Sequence, residues 1–325
     1  MTVQSQKNSK DSKNNQNNRN SDSQVGRIVK ALSGYYYVLP QGADKDSTPI
    51  QCRGRGIFKK RGESPLVGDL VEFEATENGE GTVDFILPRV SELIRPQVAN
   101  IDLAVLVFSL TEPALSLTLL DKFLVHIEHA GIQALLCLSK QDLAREGEDT
   151  EAAQHMMQEV IRIYEPIGYE VMTTSSSQGD GTELLLGRLQ GHLSVFAGQS
   201  GVGKSSLLNA LVPGLSLETN AISNKLGRGK HTTRHVELVS IGDGYVADTP
   251  GFSQLDFTEL GIEELGSCFR EMRELAPDCK FRGCTHMHEP DCAVLDAMEA
   301  GTIAASRYEN YLQFMAEMKE KKRRY

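Results

Sequence analysis

Nine consecutive residues of this 325-residue chain, Gly198-Gln199-Ser200-Gly201-Val202-Gly203-Lys204-Ser205-Ser206, have the types and spacing to hold a phosphate chain. Four residues separate Gly198 from Gly203-Lys204-Ser205, the spacing of a loop that wraps phosphate. Its glycines let successive backbone N–H groups turn inward at the positive end of a following helix. Lys204 is then placed to reach the β- and γ-phosphates, and the Ser205 hydroxyl to complete Mg²⁺ coordination. A glycine turn that merely capped a helix would not need every one of these positions.

Other segments say which nucleotide the loop would hold. Ser139-Lys140-Gln141-Asp142 follows an apolar run and resembles the guanine-reading pattern Asn-Lys-x-Asp. The Asp142 carboxylate would accept from guanine N1–H and the 2-amino group while the Lys140 stem covers the ring. Adenine offers neither donor, and a buried carboxylate left unpaired costs roughly 1–3 kcal/mol or more. Thr174-Ser175-Ser176 follows the next apolar run, where GTPases set a backbone N–H against guanine O6. Asp248-Thr-Pro-Gly251 fits the switch in which an Asp holds Mg²⁺ through water and a glycine amide senses the γ-phosphate. Thr232 or Thr233, in Gly227-Arg-Gly-Lys-His-Thr-Thr-Arg234, fits the other switch. The magnesium set is therefore Ser205, Thr233 and Asp248, and the expected ligand is Mg²⁺·GTP, or GDP after turnover.

The order of these segments is permuted. GTPases ordinarily run phosphate loop, switch threonine, Asp-x-x-Gly, guanine motif and serine element, whereas here positions 139 and 175 precede 198. Such circular permutation is tolerated because the ends of a domain commonly lie close together. Water activation also looks unusual. Many GTPases place Gln after Asp-x-x-Gly; here Phe252 stands there, without donor or acceptor. Slow intrinsic hydrolysis is expected, with His231 as the nearest group in sequence able to orient water.

A second chemistry follows. Cys279, Cys284 and Cys292, with His286 or His288, form a closed three-thiolate, one-imidazole set suited to structural zinc, one ion per chain. With no open position for water, no catalysis is assigned to it. A chance cluster of core cysteines and a redox pair are the alternatives. Cys52, Cys137 and Cys268 read as small buried apolar residues.

These groups need strands and helices to hold them. Val25–Leu32, Tyr35–Leu39, Ile50–Arg55, Leu70–Thr76 and Thr82–Leu87 are short β-rich runs between turn signals, which predicts a small closed barrel. Within it, Arg53, Arg55, Lys59, Lys60 and Arg61, with Phe58, make a basic loop suited to RNA. From Ile101 the pattern alternates: strands Ile101–Ser109, Ile132–Ser139, Glu170–Ser175 and Leu193–Ala197 with helices Leu117–Ala130, Glu151–Tyr164, Glu183–Leu189 and Ser205–Leu211. That alternation predicts a parallel sheet with helices on both faces. Strand Tyr245–Ala247 precedes Asp248. After about Thr258 only helices are expected (Ile262–Leu275, Ala293–Ala300 and one from Arg307), ending in the basic run 319–324.

Composition sets the outer bounds. Net charge is −10 and the apolar fraction 40%, so a sizeable core is expected and a uniformly basic nucleic-acid binder is excluded, though not a basic patch. The densest apolar stretch, Leu103–Phe108, falls far short of the ~20 residues of a membrane span. Between Met1 and Val25 the only aliphatic is Val3, so no secretory leader is expected. Residues 1–23 are asparagine-rich and read as a disordered polar tail. Six cysteines are too few for a disulfide scaffold and indicate a reducing compartment.

The permuted order, Gly198–Ser206, Gly227-Arg-Gly-Lys-His-Thr-Thr233, Asp248-Thr-Pro-Gly-Phe252, the Cys₃His spacing and Arg95-Pro-Gln-Val-Ala-Asn-Ile-Asp102 together resemble the small-subunit-dependent, circularly permuted GTPases of bacteria. The resemblance spans roughly residues 24–325. It implies a five-stranded oligonucleotide-binding-fold (OB-fold) barrel over 24–92, a permuted P-loop GTPase domain over 93–258 and a helical zinc domain over 259–325. It also implies GTP hydrolysis, a role in late 30S maturation with 16S rRNA as contact, cytoplasmic location and a monomeric, membrane-free protein. It favours His286 over His288 as the zinc ligand and points to His231 as the catalytic group. Ser139 departs from the family's usual Asn, and loss of that amide is expected to loosen the guanine site. The competing classes are an RNA-binding module whose GTP pocket does not turn over, and a P-loop ATPase or kinase, against which Asp142 argues.

Overall fold

The computed structural model describes residues 23–45, 47–76, 78–94, 96–146, 150–212, 215, 236–248, 257 and 260–324. The chain divides into two units, Met1–Arg89 and Val90–Tyr325.

In the first unit the β-rich runs become β1 (Gln24–Leu32), β2 (Tyr35–Pro40), β3 (Ile50–Gly54), β4 (Leu70–Ala75) and β5 (Glu80–Ile86). They pair in the order β1-β2-β3-β5-β4, and β4 returns to β1, closing a barrel. Only the β3–β5 pair is parallel. Ile28, Val38, Cys52, Val71, Phe73 and Val83 fill the interior. Strands crowd closest at Gly26, where a Cβ would lie 2.5 Å from Val38 Cγ1, so only glycine fits. Buried Asp69 accepts from Arg89 Nε and Nη2, both at 2.8 Å, and from the Leu66 amide at 2.7 Å. The basic stretch departs from the expected loop. It holds a short helix, α1 (Ile57–Arg61), which Gly62 ends in the left-handed conformation at φ 66°.

The second unit opens with an unanticipated hairpin, β6 (Glu92–Ile94) and β7 (Gln97–Ala99). The apolar runs then form β8 (Leu103–Ser109), β9 (Gln133–Ser139), β10 (Glu170–Thr173) and β11 (Leu193–Ala197). β12 (Glu237–Ile241), absent from the sequence reading, and β13 (Gly244–Asp248) follow. The strand order is β10-β9-β8-β11-β13-β12, parallel except for β12 against β13. Every residue of β8 is buried, as a central parallel strand covered on both faces requires. Val105 and Val107 pack with Leu185 and Leu189 of α5 (Thr182–Leu189) and Leu207 of α6 (Lys204–Leu211). On the other face Phe108 meets Phe123 of α2 (Leu117–His129) edge-on, with ring centroids 5.8 Å apart. Helices α3 (Gln141–Glu146) and α4 (Thr150–Tyr164) join β9 to β10.

The expected helix over Ile262–Leu275 is two pieces, a 3₁₀ segment Ile262–Cys268 and α7 (Arg270–Leu275). Gly266 and Ser267 are poor helix formers, and Phe269 between the pieces is extended (φ −102°, ψ 112°) and fully buried. Helices α8 (Ala293–Glu299) and α9 (Ala305–Arg324) complete the chain. Their core is continuous with the sheet layer: Val125 of α2 shares one apolar cluster with Phe269, Met272, Cys292, Tyr311 and Phe314.

A buried charge cluster reinforces that junction. Arg307, 1% exposed, donates to Asp121 of α2 at 2.5 Å and to both oxygens of Glu271 at 2.7 and 3.0 Å. Tyr164 Oη and Asn310 Nδ2 donate to the same aspartate at 2.5 and 2.6 Å. Burial pushes the Asp121 carboxyl up, and Arg307 with its hydrogen bonds opposes it. Among the described residues, no helix is long and apolar enough to cross a membrane.

Removing the cation strands two desolvated carboxylates, so Arg307→Met should destabilise the second unit by about 3–5 kcal/mol in denaturant unfolding. Replacing Asp121 and Glu271 with leucine in the same variant should recover only part of that loss, because the stranded charges are gone but Tyr164 Oη and Asn310 Nδ2 lose their acceptor.

Candidate nucleotide pocket and Cys/His cluster

Strands β8, β9, β10, β11 and β13 run the same way, so their carboxyl ends share one edge of the sheet. Ligands of such sheets bind there, beside the point where chain order reverses. The reversal here lies between β8, whose connection leads to β9 on one side, and β11 on its other side. The glycine-rich loop leaves β11, the guanine segment leaves β9 and the serine element leaves β10.

The loop has the expected strand–turn–helix setting. Gly198, Gly201 and Gly203 all have positive φ, at 143°, 86° and 98°. A Cβ on Gly198 would fall 2.2 Å from Val107 O, so the loop can start beside β8 only with glycine. Gly203 caps α6, whose first residues are Lys204, Ser205 and Ser206. Lys204 Nζ donates to Gly198 O at 2.8 Å and to Gln199 O at 2.6 Å, curling over the space the loop encloses. Burial pulls its ammonium down to about 8. Ser200 and Val202 complete the loop, and Val202 is fully buried.

On the base side, Asp142 accepts from the Ser177 hydroxyl at 2.6 Å, and Ser177 lies 3.1 Å from Ser175 Oγ. Burial raises the Asp142 carboxyl, but hydrogen bonds from Ser177, Ser175 and the backbone amides outweigh it and hold the group below its ordinary value. Asp142 is therefore a carboxylate at neutral pH, and the serine that orients it, Ser177, escaped the sequence reading. Its signal was present, since Ser175-Ser176-Ser177 is a run of three hydroxyls. Lys140 sits in the left-handed region at φ 61° and donates to the backbone oxygen of Glu112. Burial lowers its pKa, against the pull of Glu112 and Asp142. Ser139 is buried, its hydroxyl directed at Val202 O (2.6 Å) and Phe108 O (3.1 Å). The sequence did not reveal these two bonds. Asp248 ends β13. His231, Thr232, Thr233, Gly251, Phe252 and Arg95 lie outside the described residues.

The Cys/His residues do converge. Sγ of Cys279, Cys284 and Cys292 and Nδ1 of His286 all lie within 4.8 Å of one another. Cys292 Sγ is 3.8 Å from Cys279 Sγ and 3.7 Å from Cys284 Sγ, and His286 Nδ1 is 3.3 and 3.6 Å from Cys292 and Cys279. Tetrahedral zinc with ordinary Zn–S and Zn–N bonds requires S···S edges of roughly 3.8 Å and S···N edges of roughly 3.5 Å. The donor set fits such a metal. Of the two candidate histidines, His286 is buried in the cluster and His288 is exposed. Tyr308 Oη donates to His286 O at 2.8 Å and Tyr311 Oη to Thr285 O at 2.5 Å, so α9 grips the ligand loop. Cys52, Cys137 and Cys268 are free and buried, as expected.

The basic residues of the barrel are only partly available. Arg55 pairs with Asp84 at 2.6 Å, and Arg53 lies over the Tyr35 ring at 4.8 Å. Lys60 and Arg61 are exposed on or beside α1, which also carries Lys59.

Two family models match the chain: the RsgA N-terminal domain over residues 25–83 and the RsgA GTPase over 86–258. A protein of Bacillus velezensis named small ribosomal subunit biogenesis GTPase RsgA is 54% identical over 300 residues, covering 92% of this chain and 99% of that one. Its namesake in Bacillus subtilis is 52% identical over the same shares. Among solved structures, the circularly permuted GTPase YloQ is 45% identical with a TM-score of 0.76, over 92% of this chain and 96% of that chain. YjeQ from Thermotoga maritima is 36% identical with a TM-score of 0.77, over 91% and 98%.

The half-buried Lys204 makes phosphate binding sensitive to pH. A bound polyphosphate favours the ammonium and raises its pKa above the free value near 8, so binding takes up a proton in that range. Affinity for GDP should fall as pH rises, by about fourfold between pH 7 and 8.5. Titration calorimetry at the two pH values checks both the affinity and the proton uptake.

Proposed function

The chain belongs to the RsgA GTPase family, and from that membership we propose that it binds the small (30S) ribosomal subunit and acts in its late maturation. It hydrolyses GTP to GDP and phosphate, and the subunit stimulates the reaction. The observation that supports this reading best is the meeting, on one sheet edge, of a phosphate loop with a carboxylate held ionised by two serines.

In this reading the base is read by Asp142, covered by the Lys140 stem, and met at O6 by the Ser176 amide, since the Ser175 amide donates to Asp180 O. Gly198 to Ser206 wrap the phosphates, and Lys204 exchanges its two carbonyl contacts for phosphate oxygens. Ser205, Thr233 and Asp248 would hold Mg²⁺, which would supply charge neutralisation at the phosphates. Gly251 senses the γ-phosphate. Phe252 can neither donate to water nor accept from it, so His231 orients the attacking water once the protein docks on the subunit.

The boundaries that go with this function are a polar tail over 1–23, an RNA-binding barrel over 24–92, the GTPase domain over 93–258 and the helical zinc domain over 259–325. Cys279, Cys284, His286 and Cys292 hold one structural zinc per chain. Arg53, Arg55, Lys59, Lys60 and Arg61 contact 16S rRNA, and the protein works in the cytoplasm as a monomer.

Turnover of GTP measured with and without purified 30S subunits tests the function, with acceleration by the subunit as the expected result. His231→Ala should leave GTP affinity within about twofold of wild type while 30S-stimulated turnover falls roughly 10²- to 10³-fold. Stimulated turnover that survives the change would assign water positioning to the ribosome. Asp142→Asn should weaken GTP by roughly 1–3 kcal/mol and admit xanthosine triphosphate, whose 2-oxo group accepts where guanine donates. Competition binding with the two nucleotides reads that exchange.

A further inference from the structure

Guanine offers more than the edge that Asp142 can read. Besides the donors N1–H and 2-NH₂ it presents two acceptors, O6 and N7. An amide at position 139 would have hydrogens to spare for such acceptors; a serine hydroxyl has one. The structure shows where that one goes. Ser139 ends β9 with 5% of its surface exposed, and its hydroxyl lies 2.6 Å from Val202 O and 3.1 Å from Phe108 O. Two backbone acceptors already compete for a single hydrogen. Lys140 Nζ, the neighbouring cation, is drawn toward the backbone oxygen of Glu112.

The bond to Val202 has a consequence for the phosphate loop. Val202 stands between Gly201 and Gly203, both in the left-handed region at φ 86° and 98°. Glycines on either side leave this turn the most conformational freedom in the loop. Ser139 takes hold of the one carbonyl between them and ties it to the strand that carries the guanine segment.

We propose that Ser139 is a positioning residue that shapes the phosphate loop through Val202, and that none of the described residues reads guanine N7, selectivity resting on the N1/2-amino edge and O6. This inference rests on the guanine-nucleotide reading above.

Wild-type protein and Ser139→Ala are each titrated with GDP, 7-deaza-GDP, ADP and inorganic tripolyphosphate. Wild type should bind GDP and 7-deaza-GDP within twofold of each other. A tenfold or greater loss for 7-deaza-GDP shows that N7 is read and overturns the inference, whereas GDP that binds no better than ADP overturns the guanine reading itself. Ser139→Ala should weaken GDP, 7-deaza-GDP and tripolyphosphate by the same factor, about 3- to 10-fold for one lost hydrogen bond, and leave the GDP/ADP ratio unchanged. Binding of all three at wild-type strength, or a loss confined to GDP, overturns the positioning role. The wild-type comparison needs no variant and stands whether or not Ser139→Ala folds.

Discussion

A strand buried on both faces must satisfy every backbone N–H and C=O within the sheet, and β8 meets that demand by pairing along its length with β9 and, over Leu103–Leu106, with β11. Much else follows from this pairing. It sets β9 and β11, about 60 residues apart in sequence, on either side of β8, and because all three are parallel, their following loops open on the same edge. The loop at 198 and the turn at 139 therefore meet across the end of β8, close enough for the Ser139 hydroxyl to reach Val202 O at 2.6 Å. The chain order of the motifs is immaterial to this result. Permutation moves the ends of the chain and leaves the ladder alone.

The same layer explains why the C-terminal helices are not a loose appendage. Helix α2 covers one face of β8 with Phe123 and turns Val125, Asp121 and Glu128 toward the helices beyond. Glu128 accepts from Arg270 and Arg273 at 2.6 and 2.9 Å, and Lys122 pairs with Glu317 at 2.9 Å. The partly exposed pairs contribute little individually. The Arg307 cluster differs because its charges are out of water, where a missing partner is far more costly than a present one is favourable. Such a cluster specifies how α9 sits, and α9 in turn holds the Cys/His loop through Tyr308 and Tyr311.

Local patterns were legible wherever a short stretch of chain contains its own explanation. Gly198–Ser205 announces a loop before a helix, the apolar run at 103–109 a buried strand, and the Cys₃His spacing a closed donor set. Misreadings fell where distant residues decide. The helix over Ile262–Leu275 breaks because the core takes Phe269. Strand β12 is short and only half-buried, and exists because β13 offers it a partner. The short helix at Ile57–Arg61 is the exception, since Gly62, the residue directly after it, is a local stop signal.

The residue types and spacing by themselves determined the chemistry this chain can support: phosphate wrapping, a carboxylate for guanine, three thiols with an imidazole, and the permuted order in which they come. These depend on which atoms are present and on contacts within a few residues, both of which are written in the chain. Tertiary structure alone decided how the groups serve one another. It buried His286 rather than His288, gave Asp142 its supporting Ser177, committed the Ser139 hydroxyl to the phosphate loop, and paired Arg307 with acids 36 and 186 positions away. Hydrogen-bond partners are chosen by proximity and by the cost of leaving a buried polar group unpaired, and neither exists until the strands and helices have packed.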